Sequence, residues 1–198
     1  YIITNPDIPD KKTTLKFIRN FNAKKTKVDY HSILESYFSF WGALGVFKSW
    51  LTLMWISMML RSIKGAFRVK GTNVYLWYLM KEDWKKSLIG ATAIENLFFL
   101  DLFDKALQDA PHQKKGLYIC ENQGWERAMI HCWRKYRHGK LIGFAHSTVR
   151  YWDLRYFEDT RSFLSGDQDE VPKPDKYALN GEAALRLFSD MDCPSQLI

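Results

Sequence analysis

Glu121 and His146 are the side chains of this chain best placed for chemistry, because each stands immediately after a short apolar run that ends on a polar cluster. Leu117 to Cys120 leads into Glu121, Asn122 and Gln123, and Leu141 to Ala145 leads into His146, Ser147 and Thr148. Runs of that length and composition read as buried strands. A carboxylate at a strand end can serve as a general base. It can equally cap a loop by accepting backbone N–H groups where the next helix starts. An imidazole, with an unperturbed pKa near ~6.5, can act as a base or, when protonated, as a phosphate ligand. Pairing of His146 with the Glu121 edge and the Ser147 hydroxyl favours a functional role over that of a satisfied polar residue. Glu126 falls one turn into the following segment and reads as an N-terminal helix charge.

The elements that must position these groups follow from the periodicity. Trp125, Met129, Ile130 and Trp133 share one helical face of the segment 125–137, while Glu126, Arg127, Arg134 and Lys135 lie largely off it. Strand, helix and strand in that order form a right-handed crossover, which places both strand C-termini on one edge of a parallel sheet, where open α/β folds bind their ligands. Glu121 and His146 are expected near each other on that edge.

Around this unit, Val74 to Leu79 reads as a further strand after a turn at Gly71, Thr72 and Asn73. Asp83 to Leu107 reads as one long helix, ended by Ala110 and Pro111. Tyr151 to Phe163 has no clean period, and Gly166 to Pro174 is an acidic, proline-bearing loop. Lys176 to Leu179 is a short strand, and Glu182 to Met191 a helix stopped by Pro194. The alternation from 73 to 191 predicts a parallel α/β sheet flanked by helices, Rossmann-like in kind. Residues 1–36 form a basic periphery, read as strand or loop over 1–29. Residues 37–70 form an apolar, aromatic, helical segment, and 71–198 the α/β domain.

The segment from Tyr37 to Phe67 is long enough to span a bilayer, but Lys48 and Ser49 interrupt it near its middle, where a charge costs ~2.5–3.5 kcal/mol on insertion scales. It is expected not to span. Two readings compete: a pair of buried helices packed on the sheet, favoured because aromatic helical stripes more often face a core, and an amphipathic helix lying in a membrane interface.

The 198 residues are 46% hydrophobic and 26% charged, enough for one ordinary core. The formal charge of +7 favours an anionic partner. Nucleic acid has only that charge in its favour, since no helix-turn-helix, RNP or glycine-rich phosphate motif accompanies it. Cys120, Cys132 and Cys193 are odd in number and widely spaced, which argues against a disulfide framework and for a reducing compartment. No CxxC or HxxxH pair supports a zinc site. Tyr1 in place of Met and the apolar end CPSQLI suggest a piece of a longer protein.

The stretch ENQGWERAMIHCWRKYRHGKLIGFAHSTVRYWDLRYFED, with PKPDKYALNGEAALRLF after it, resembles the bacterial surface carbohydrate biosynthesis proteins associated with O-antigen and related lipid-linked glycans, which look like glycosyltransferases of the GT-B kind. The likeness is strongest over residues 117–190, and E-N-Q-x-W-E followed by an H-S pair after the next strand carries it. It implies the N-terminal, acceptor-side half of a two-domain enzyme at the inner, cytoplasmic face of the cytoplasmic membrane. The partners would be a lipid-linked glycan acceptor and a nucleotide-sugar donor held by a C-terminal domain after Ile198, with no cofactor. Glu121 or His146 would deprotonate the acceptor hydroxyl. Asn122, Gln123, Glu126, Ser147, Asp153, Arg155, Asn180 and Gly181 would line the substrate, although Asp153 and Arg155 could pair with one another and Asn180 and Gly181 could be a plain turn. The alternative to an enzyme is a non-catalytic, membrane-associated scaffold for glycan assembly.

Overall fold

The computed structural model describes residues 11–23, 31–145, 171–190 and 193. Its centre is a three-stranded parallel sheet in the order β1 (Lys115–Ile119), β2 (Lys140–Phe144), β3 (Lys176–Ala178). Tyr118 pairs with Gly143 and Gly143 with Tyr177, so the strands are in step along their inward-facing row. The chain is α/β, as its alternation of elements predicts.

Six α-helices accompany the sheet among the described residues: α1 (Lys11–Ala23), α2 (Phe40–Met59), α3 (Trp77–Leu88), α4 (Ala91–Asp109), α5 (Gly124–Lys135) and α6 (Glu182–Asp190). Helices α5 and α6 pack on the same sheet face, where Ile130, Trp133, Leu187 and Phe188 meet Tyr118, Leu141 and Tyr177. The back of α5, through Ala128 and Cys132, packs against Leu102 and Phe103 of α4. Helix α4 in turn carries α2 and α3 on its far side. The order of layers is therefore sheet, then α5 with α6, then α4, then α2 with α3. The other sheet face leaves Leu117 and Ile119 exposed, so the described helices cover one face of the sheet and not both.

Three local expectations are corrected. Residues 74–79 do not form a strand. Tyr75 makes a single antiparallel bridge to Arg68, and from Trp77 the chain is helical, with Phe67 against the rings of Trp77 and Trp84. The aromatic run suits a strand locally, but Trp77 and Trp84 recur at helical spacing and share one cluster. The long helix expected from Asp83 to Leu107 is two helices broken at Gly90, which caps α4 with extended backbone while the Trp50 indole N–H bonds the Ile89 carbonyl at 2.8 Å. The basic N-terminal stretch contains a helix, α1, because Thr14, Leu15, Ile18 and Asn22 form a half-buried stripe and the Asn22 amide exchanges two hydrogen bonds with the backbone of His31.

The apolar segment 37–70 is helical, as expected. It is α2 followed by a 3-10 stretch, Leu60–Phe67. The reading as buried helices packed on the sheet does not hold. Helix α2 rests on α4, with Gly42 and Val46 buried, and most of its remaining surface is open.

Candidate active-site edge

The sheet's C-terminal edge is assembled by its own ladder. Beyond the named strands, Cys120 N–H still bonds Phe144 O at 2.8 Å, and Ala145 N–H bonds Ala178 O at 3.1 Å. Glu121 to Gln123 leave this edge from β1, and Asn180 with Gly181 leave it from β3. His146, Ser147, Asp153 and Arg155 lie outside the described residues.

Among the carboxylates here, Glu126 organises the loop. Its side chain is 2% exposed, and its Oε1 accepts the backbone N–H of Glu121 at 2.7 Å and of Gln123 at 2.8 Å. The loop-holding part that the sequence offered to Glu121 therefore belongs to Glu126, reaching back from the third residue of α5 in the manner of a capping box. Asn122, at the crest, adopts a left-handed backbone with φ 56°, which asparagine tolerates better than most residues. Glu121 is half-exposed, and Asn122 and Gln123 are exposed.

Beneath the loop, Glu126 belongs to a buried polar chain. The Tyr118 hydroxyl bonds the Cys120 thiol, and that thiol bonds the Glu126 carboxylate. Burial raises the affinity of Glu126 for its proton, while the backbone N–H groups and the thiol partly offset this. Burial, reinforced by the neighbouring carboxylate, pushes the Cys120 thiol up to about 12. The Tyr118 phenol rises for the same first reason. None of these groups is in a position to meet a ligand; they set the shape of the loop above them.

Two arginines of α5, on the side turned from its apolar face, tie the edge together, and no local sequence signal marks them for this. Arg127 donates to Asn122 Oδ1 and to Pro172 O, and Arg134 donates to Lys173 O. The approach to β3 is thereby fastened to the β1–α5 loop. At the start of β2, Asp175 completes the join: its carboxylate accepts the Leu141 N–H at 2.7 Å, and its own N–H bonds Leu141 O.

Asn180 and Gly181 are exposed at the head of α6, with Gly181 at φ 130°, a conformation that side chains resist. Trp125 is partly buried between the rings of Phe103 and Tyr118, a packing role as its apolar spacing predicts. The opposite edge of the sheet is structural. His138 accepts the Gln113 N–H at Nδ1 and places Nε2 2.9 Å from Leu107 O, so both ring nitrogens are held by the backbone.

The edge carries the half-exposed Glu121 carboxylate and the exposed amide side chains of Asn122, Gln123 and Asn180, with Asn122 Oδ1 holding Arg127; groups of this kind suit a hydroxyl-rich ligand. Two backbone amides of the loop that leads into α5, those of Glu121 and Gln123, are occupied by Glu126. Among the described residues, no three His, Cys, Asp or Glu side chains gather to hold a metal ion. Comparison with protein-family models, curated protein sequences and solved structures found no match.

Proposed function

We propose that this chain is the acceptor-side domain of a glycosyltransferase that builds bacterial surface polysaccharide of the O-antigen type, the N-terminal half of a GT-B-like enzyme using a nucleotide-sugar donor. The observation that carries the reading is Glu126. By taking the Glu121 and Gln123 amides for itself, it withdraws two backbone donors of the β1–α5 loop from any anionic ligand and fixes the loop that carries Glu121, Asn122 and Gln123 at the sheet edge. That is the division of labour in which the acceptor sugar sits here and the donor's phosphates are neutralised by another domain. The resemblance of residues 117–190 to surface carbohydrate biosynthesis proteins supports the same reading. Glu121 is the general base of the transfer, with His146 as the other group able to take that proton.

Amide chemical shifts test the division directly. On titration with O-antigen-type oligosaccharides, resonances of 121–124 and 180–182 should move, whereas UDP and GDP should leave them in place. Shifts produced by the nucleotides and not by the saccharides would refute the acceptor-side assignment. The non-catalytic scaffold reading draws on the exposed face of α2. It would be favoured if the full-length enzyme kept glycan assembly after Glu121→Gln and His146→Ala together.

A further inference from the structure

Between Glu35 and Glu82 the sequence carries six basic residues and no acidic one, while the rest of the chain holds 23 basic and 22 acidic residues. Nearly all of the net charge of +7 therefore resides in 46 residues. The same stretch holds most of the large apolar side chains left exposed among the described residues, 15 of 22. Coincidence of open apolar surface with unopposed positive charge is the signature of an interfacial membrane element.

The geometry sharpens it. On α2, Trp41, Leu44, Lys48, Leu51, Trp55 and Met58 are spaced alternately three and four residues apart, so they form one stripe, and all are exposed, Trp41 at 79% and Trp55 at 59%. The opposite side of the helix, through Gly42, Val46 and Trp50, packs on the α3–α4 layer. This is the inverse of a soluble surface helix, which buries its apolar stripe. Tyr78, Leu79 and Met80 at the start of α3 extend the open apolar surface. Lys48, Lys64, Arg68, Lys70 and Lys81 are all exposed.

We infer that the outer face of α2, together with the start of α3, docks on the surface of an anionic bilayer, with α2 lying in the interfacial plane. Although α2 is long and apolar enough to cross a membrane, its inner face is fixed to α4, which carries Glu95, Asp101, Asp104 and Lys105 and would have to be drawn into the hydrocarbon with it. An in-plane helix meets no such penalty. Its tryptophans lie at headgroup depth, and Lys48 reaches the lipid phosphates along its own stem. A second copy of the chain is a poorer occupant, because it would bring two uncompensated basic segments into contact, whereas anionic headgroups neutralise them. The inference does not rest on the glycosyl-transfer reading, since the sheet edge is built from other elements.

Vesicle co-sedimentation of the whole chain tests it, with phosphatidylcholine vesicles that contain or lack phosphatidylglycerol. Binding is expected to require phosphatidylglycerol and to weaken in high salt. It should fall at least about tenfold in Leu51→Glu/Trp55→Glu and in Lys48→Glu/Lys70→Glu. All four substitutions are at exposed positions, and unchanged melting curves would confirm that both variants fold. Alkaline carbonate should release the bound protein. Three results would overturn the inference: wild-type protein that does not sediment with either vesicle, retention after carbonate treatment, which means a spanning helix, or a lipid-free wild-type dimer that Leu51→Glu/Trp55→Glu splits into monomers.

Discussion

The Glu126 carboxylate lies 2.7 Å from the backbone nitrogen of Glu121, so the loop that carries the half-exposed Glu121 is held in place by a buried carboxylate. The two acids are five residues apart, yet one is buried beneath the loop and the other is half-exposed at the sheet edge.

Removal of the buried acid should therefore be felt as instability. Glu126→Ala strips the acceptor from two backbone amides and should cost about 2–3 kcal/mol, read from the denaturant midpoint. Glu126→Gln keeps an oxygen at the same place and should cost less. Equal losses in the two variants would show that the charge, and not the hydrogen-bond acceptor, supports the loop.

The same residue makes a signed prediction in pH. Its folded-state proton affinity is raised above the ordinary value of 4.5, with burial the largest cause. The native state then holds the proton more tightly than the unfolded chain. Its contribution favours folding below 4.5 and is lost as pH rises through the raised folded value. Measured against Glu126→Gln across that window, wild-type stability should decline as pH increases. A wild type that instead gains on the variant would mean that the backbone N–H bonds outweigh burial.

Thiol chemistry offers an independent check on the packing. Cys120 and Cys132 are buried and pushed up to about 12, so neither presents thiolate at neutral pH. Iodoacetamide should label both only after unfolding, as peptide mapping by mass spectrometry would reveal. Native-state labelling of Cys120 at the unfolded rate would mean that the β1–α5 loop opens freely.

Glu121 should behave in the opposite way from Glu126. Its backbone N–H supplies the structural bond, and substitution of the side chain leaves that bond intact. On the proposed glycosyl-transfer reading, Glu121→Gln in the full-length protein should keep stability within about 0.5 kcal/mol of wild type while transfer falls ~10²–10⁴-fold, the usual weight of a general base. Normal transfer by that variant would remove Glu121 from the mechanism and leave His146 as the base.

The central unit was legible because its signals are local. The apolar runs at 117–120 and 141–145, and the 3.6-residue period between them, place β1, α5 and β2 to within about two residues, the ordinary uncertainty of helix and strand ends. The run from Lys176 and the helix from Glu182 are equally clear. The segment VYLWYL misleads, because six residues are too few to separate a strand period from a helical one. Only the packing of Phe67 on Trp77 and Trp84 decides for the helix.

By itself the sequence determined that a parallel βαβ unit would form and that polar residues would gather at its C-terminal edge, since alternation and helical period depend on neighbours two to four positions away. Tertiary structure alone decided which carboxylate turns inward, which arginines fasten the approach to β3, and which side of the largely apolar α2 remains open. Those outcomes depend on contacts between distant parts of the chain: Arg127 finds Pro172 45 residues away, and the side of α2 opposite its exposed stripe is covered only because α3 and α4 fold back against it. No periodicity within a single element records which of two apolar faces a later element will cover.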